Sequence, residues 1–436
     1  QQGVAHGDQH RIGFAIAFFT LIMASVALHE LGHMIPAKRF GVRVPKYFVG
    51  FGPTLWSTTR GETEYGIKWF PLGGFVRLLG MYPPPPLDDR PRAASRLNQL
   101  ADAARDQEWQ EITPTDVTDK RLFYQKKTWQ KLVVMAGGPV MNLLIAFVLM
   151  LGVTGLYGVY RAQTTVGYVQ PCVLTDSTRT ECADTDPKSP AAAAGLQAGD
   201  RVVSFNETMI TSYSQLSSLI RANLDAEARL VVERGGQEVA LAPVHTVINE
   251  VADTLDPGRR LSAGWLGVSP KQELVKGGPV EVLGDMWLQT KQSVVALVQF
   301  PVKVWHVMVG MVTGQPRDVY DPISILGAST VAGQVIASDQ VTPGAKVATF
   351  VSLLASVNLF LALFNFVPLP PLDGGHIAGA LYEWVRRKFA TLSKRPDPGF
   401  FDTAKLLPVA YGVGGLLLLS GVVLILADII SPISLF

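Results

Sequence analysis

Four strongly apolar stretches of the chain carry no Lys, Arg, Asp or Glu and are long or nearly long enough to span a bilayer: residues 12–28, 132–160, 347–372 and 406–427. They hold 17, 29, 26 and 22 residues, and a spanning helix needs about 20 mostly apolar ones. The first is short but continues through 29–35 with one carboxylate, Glu30. The pattern therefore predicts four transmembrane helices. The first run flows into a charged motif rather than a small-residue cleavage site, which argues against a signal peptide. Between the spans the pattern changes. Residues 47–79 mix Gly with aromatic and β-branched residues and predict strands, with a turn at 58–63 and a second hairpin or bend at 66–76. Prolines at 83–86 stop regular structure, and the polar, Ala-rich 87–120 predicts an exposed helix or a mobile loop. Residues 163–270 predict a small β-rich domain. It has a short helix after Ser189-Pro190, a glycine turn and strand at 195–203, a helix over 212–223 and a hairpin at Gly235-Gly236. Residues 287–311 are apolar but interrupted by Lys291, Lys303 and His306. That pattern fits an amphipathic helix at the membrane surface better than a fifth span.

Composition sharpens this picture. Only 17% of residues are charged, against about 25% in soluble domains, and mean hydropathy is +0.24. An ordinary soluble enzyme is excluded. A net charge of +2 gives no footprint for nucleic acid. Two cysteines exclude a disulfide-rich scaffold and a multi-cysteine zinc ribbon. Residues 35–131 carry 16 basic and 10 acidic side chains, and 161–346 carry 15 and 19. Cations crowd the ends of the first block, and Arg386, Arg387 and Lys388 fill the third linker. The positive-inside rule places 35–131 and 373–405 in the cytoplasm, and 161–346 with both termini outside. Cys172 and Cys182 fall in the outside block, where a disulfide is permitted; two free thiols are the alternative.

The chemistry concentrates in two charged motifs at the edges of apolar runs. His29-Glu30-Leu31-Gly32-His33 puts two imidazoles at i and i+4 on one helix face, within reach of one metal. Glu30 then sits beside the metal, placed to accept a proton from water. An ionisable residue at membrane depth is a functional hypothesis by default. An open zinc site needs a third protein ligand. Asp373 ends the third apolar run, where Pro368, Pro370 and Pro371 forbid a regular helix. In the predicted topology it reaches the same inner depth as His29 and His33. His376 competes for the role.

These residues resemble the site-2 proteases, zinc intramembrane metalloproteases. The resemblance rests on HExxH in the first span and on Asn365-Phe366-Val367-Pro368-Leu369-Pro370-Pro371-Leu372-Asp373-Gly374-Gly375 in a later one. Ala136–Asn142 resembles the family's A-G-P-x-x-N segment with one additional Gly, and Gly50-Phe51-Gly52 its membrane re-entrant β segment. The outside block resembles a single PDZ domain, as in RseP-like actinobacterial members. The resemblance implies an α-helical polytopic membrane protein with a membrane-associated β element and an inserted α+β PDZ-like domain. Its expected segments are a first helix over 1–35, the β element over 36–82 and a cytoplasmic loop over 83–131. A second helix follows over 132–160, then the PDZ-like domain over 161–270 and an amphipathic connector over 271–346. A third segment over 347–376, a loop over 377–404 and a fourth helix over 405–430 complete the chain.

The resemblance further implies that His29, His33 and Asp373 hold Zn2+ and that Glu30 is the general base. Asn365, Asn142 and the Gly50–Gly52 segment would contact substrate, with Asn142 also suited to helix packing. The protein would sit in a bacterial plasma membrane with its active site near the cytoplasmic side. It would cut single-pass proteins such as anti-sigma factors, or remnant signal peptides, after an upstream site-1 protease has acted outside. A non-enzymatic scaffold with a structural metal and a metal transporter are the rival readings.

Overall fold

The structure is a computed structural model that describes residues 2–84, 96–174, 181–337 and 342–433. The chain divides into two units, Gln1–Gly152 with Glu281–Phe436, and Val153–Val280. The first unit is built on helices that the apolar runs dictate. Among them are α1 (Gln2–Arg39) and α3 (Thr128–Gly152), with the polar helix α2 (Arg96–Trp109) between them. Among the described residues, five helical stretches are long and apolar enough to cross a membrane: 13–39, 128–157, 279–313, 343–365 and 403–430.

Small residues let α1 and α3 cross closely. A Cβ on Gly32 would lie 2.3 Å from the Gly137 carbonyl oxygen, and one on Gly137 would lie 2.1 Å from that of Gly32. Only glycine at both positions permits this approach. Two strands follow α1. β1 (Lys46–Arg60) and β2 (Thr63–Arg77) join at Gly61, whose φ of +62° suits the tight turn. Both strands bend, so the first half of β1 pairs on one side with Glu64–Ile67 and on the other with Gly74–Arg77. Gly74–Arg77 is consequently an edge, paired with no further strand among the described residues. The Tyr47 hydroxyl donates to the Ala27 carbonyl at 2.7 Å and ties this sheet to α1 just before the HExxH turn.

The polar stretch expected to be an exposed helix or loop is in part neither. Residues 87–95 of it, and with them Pro85 and Pro86 of the proline stop, lie outside the described residues. In α2, however, Ala101, Arg105 and Glu108 are buried. The Glu108 carboxylate accepts the backbone N–H groups of Gly80, Met81 and Tyr82 at 2.9, 3.0 and 2.9 Å. Burial pushes its carboxyl above the usual range, against those three bonds. Arg105 reaches Asp402 at 2.9 Å.

In the second unit, β3 (Val159–Val169), β4 (Arg201–Phe205), α4 (Tyr213–Ala222), β5 (Leu230–Arg234), β6 (Gln237–Ala240), β7 (Val247–Ala252), β8 (Arg260–Trp265) and β9 (Val268–Val275) follow in sequence. The main sheet runs β9-β3-β4-β5-β6 and is antiparallel, with Thr208–Met209 paired to β4. β7 and β8 form a separate hairpin. The core comprises Val202, Phe205, Leu216, Ile220, Leu230, Val232 and neighbours. Gly195 and Gly199, at φ of +77° and +95°, make the turn into β4. Arg234 binds the Asp200 carboxylate through two bonds and holds it below the usual range. Cys172 and Cys182 form a disulfide.

The rest of the first unit comprises α5 (Pro279–Thr313), α6 (Ile325–Ala337), α7 (Pro343–Asn365), α8 (Asp373–Leu392) and α9 (Leu407–Ile430). Near its start, α5 places Val282 in one cluster with Met150, near the end of α3. Toward its other end, Val304 and Val307 pack on Val423, Leu424 and Ala427, near the end of α9. Asn358 of α7 donates to Ser25 of α1 at 3.1 Å. Lys131 of α3 and Glu383 of α8 form a buried ion pair at 3.0 Å, and Glu383 also accepts the Phe401 N–H at 2.9 Å. Removing one partner strands a buried charge. Glu383→Ala is expected to cost about 3–5 kcal/mol of stability, read as a lower denaturation midpoint in detergent.

Candidate metal centre

One helical turn brings the two imidazoles together, and the break after α7 brings the carboxylate to them. His29 Nε2 and His33 Nε2 lie 3.2 Å apart. Asp373 Oδ2 lies 3.3 Å from each. Asp373 is the first residue of α8, held by a tight turn over 366–372. A Cβ on Gly374 would lie 2.3 Å from the Val367 carbonyl oxygen, so the glycine after the carboxylate lets α8 start inside that turn. His376 lines the cavity in front of the cluster but is not among the three converging ligand atoms.

The donor set fits zinc. His33 Nδ1 bonds the Val134 carbonyl at 2.8 Å. That bond assigns the proton to Nδ1 and leaves the Nε2 lone pair facing the cluster. Asp373 Oδ2 is buried with no hydrogen-bond donor. The His33 Nε2 lone pair, His29 Nε2 and a carboxylate oxygen converge on one point, an arrangement that a cation completes. Three protein ligands with an open side also match a catalytic rather than a closed structural zinc site.

The open side is a cavity of about 330 Å³. Glu30, Asn365 and the β2 edge Gly74–Val76 line it together with the cluster. Asn365 Nδ2 donates to the Leu361 carbonyl at 3.0 Å. Two sequence-based expectations land elsewhere. Asn142 is buried in α3 and does not line the cavity. Gly50 and Gly52 have φ of +93° and +86° and form the bend of β1, away from the cavity lining, with the Phe51 ring exposed. The β segment that reaches the cavity is Gly74–Val76, on the free side of which no strand pairs among the described residues, whereas Lys46–Val49 of β1 is flanked on both sides.

Gly138 carries a role its sequence position does not advertise. A Cβ there would lie 2.2 Å from His33 Nε2 and 2.6 Å from His29 Nε2. Gly138, directly before Pro139 in the Ala136–Asn142 segment, is thus the floor beneath the two imidazoles. Gly138→Ala is expected to lower zinc content at least roughly tenfold by displacing the ligand atoms, measured by metal analysis of purified protein. Folding checked by circular dichroism should be retained.

The family model described as Peptidase family M50 matches residues 17–396. The zinc metalloprotease Rip1 of Mycobacterium tuberculosis (strain ATCC 25618 / H37Rv) is 34% identical over 443 residues, covering 97% of this chain and 98% of that protein. The zinc metalloprotease RasP of Oceanobacillus iheyensis is 26% identical, covering 86% and 91%. The metalloprotease MmpA of Caulobacter vibrioides is 27% identical, covering 86% and 89%.

Proposed function

The chain belongs to peptidase family M50, the site-2 zinc metalloproteases, and from that premise we propose that it hydrolyses single-pass membrane proteins such as anti-sigma factors within the bilayer, after a prior outside cut. The observation that carries this reading is the shared cavity: cluster, carboxylate and strand edge all face one space. His29, His33 and Asp373 hold the zinc. Bound zinc lowers the pKa of water and polarises a carbonyl. Glu30 accepts the proton of the attacking water on its carboxylate and passes it to the leaving amine. A helical substrate hides its carbonyls in intrahelical bonds and must unwind. The Gly74–Arg77 edge takes the unwound segment as an added strand. Asn365 bonds the substrate backbone beside it.

Four helices span the membrane in this reading, and α5 lies along the outer surface. A 35-residue helix is about 50 Å long, and a spanning one would part its ends to opposite sides. Both ends pack near the ends of α3 and α9, which this reading puts on one side. Leu149, one residue before Met150, packs against a cluster that holds Phe18 and Ile22 of α1 and Ala332 of α6. Asp428 of α9 accepts the Ser324 N–H at the start of the same α6 segment. The second unit is the PDZ-like domain, outside, where its disulfide suits an oxidising compartment. A cavity of about 170 Å³ between α4 and Gly264–Val268 supports a peptide groove there. The domain acts as a size filter. A test substrate with its outer domain trimmed should be cut at least about tenfold faster than the intact one by the purified full chain in detergent, read by gel. Equal rates would remove the filter.

A further inference from the structure

α8 leaves the metal site as a helix whose outer face stays exposed among the described residues. Its buried side carries Gly379, Ala380, Glu383 and Ala390. The opposite arc carries Leu381, Trp384, Val385, Phe389 and Leu392, between 44% and 75% exposed. At 3.6 residues per turn these side chains cover an arc of about 140°. No water-facing helix is expected to show so wide an apolar face. The cations sit at the far end of the same helix. Lys388 lies within that arc, 5.8 Å over the Trp384 ring. Lys394 and Arg395 follow immediately and carry no ion pair among the described residues. The remaining local charges are spoken for: Arg387 pairs with Asp397, Arg386 binds the carbonyls of Pro398, Gly399 and Phe400, and Glu383 is buried with Lys131.

We propose that the α8 face from Leu381 to Leu392, with Lys388, Lys394 and Arg395, binds the anionic phospholipid of one membrane leaflet. The apolar arc enters the acyl region, Trp384 sits at the headgroup boundary, and the three cations take the phosphates. Charge complementarity selects this occupant: three cations without an ion pair edge an apolar face, and among the described residues the carboxylates near them, Asp397 and Glu383, are already paired. An aromatic–cation border of this kind is the signature of a lipid interface rather than of a polar protein partner. The helix also begins at Asp373. Trp384 is 11 residues further on, a rise of about 16 Å. Lipid held at Trp384 therefore fixes how deep the metal ligand lies.

The test uses the full chain in vesicles of equal parts phosphatidylglycerol and phosphatidylcholine, with only one of the two brominated at a time. The emission of Trp384 is the difference between wild type and Trp384→Phe. Brominated phosphatidylglycerol is expected to quench it about twofold more than brominated phosphatidylcholine. The triple variant K388Q/K394Q/R395Q should keep quenching by both lipids and lose the preference. Should Trp384→Phe prove unstable, Leu392→Trp places a second reporter on the same face. A Trp384 that neither lipid quenches, or that both quench equally in wild type, would overturn the proposal. No substrate is present, so the result stands apart from the protease reading.

Discussion

Replacing Glu30 by Gln is expected to slow peptide hydrolysis by orders of magnitude while the protein keeps its zinc. The three ligand atoms converge from His29, His33 and Asp373, and Glu30 is not among them. The carboxylate instead lines the same cavity beside the Gly74–Val76 edge. A carboxamide of the same size cannot accept a proton from water, so the loss falls on the chemical step. A missing general base costs about 10²–10⁴-fold. Single-turnover cleavage by Glu30→Gln and wild type, with metal content measured on the same samples, separates this from collapse of the site. Retained activity in the variant would remove Glu30 from the mechanism. A scaffold with a structural metal would instead show zinc in both proteins and cleavage by neither.

Asp373→Ala should act on the metal itself. The two imidazoles share a helix and keep their positions, but the only carboxylate in the cluster is gone. Losing an outer partner of a ligand already costs 10–100-fold in metal affinity. Losing a ligand is expected to cost roughly a hundredfold or more, with activity falling in step. Zinc titration against a chelator of known affinity reads it directly. His376→Ala is the matching control: His376 lines the cavity without joining the cluster, and zinc affinity should change less than about threefold. An equal loss in both variants would put His376 among the ligands.

The two zinc motifs were legible in the sequence because both depend on short-range geometry. His29 and His33 are one turn apart, and a carboxylate at the edge of an apolar run has few innocent explanations. The β element was legible as strands but not as a sheet. Both strands bend, and which segment forms the edge depends on pairings that only the folded register reveals. The Gly50–Gly52 expectation failed to reach the cavity for that reason, and Gly74–Val76 took its place. Gly138 could not be singled out, since its constraint is a clash with side chains more than a hundred positions away. Lys131 read as one more cytoplasmic cation, yet its partner Glu383 lies 252 positions on. The same holds for Glu108 and Arg105, whose partners at 80–82 and 402 turn a polar segment into a packed one. Periodicity reports which face is apolar; it does not report which buried charge meets which.

The central claim is hydrolysis inside an apolar segment by this zinc cluster. The measurement that meets it most directly is mass spectrometry of the products from a single-pass substrate with a short outer segment, cut in ¹⁸O-labelled water. The account predicts one new carboxyl terminus carrying the label, at a bond within the apolar run, and no product once zinc is chelated. A cut confined to the water-exposed flanks, or a cut that survives chelation, would contradict it.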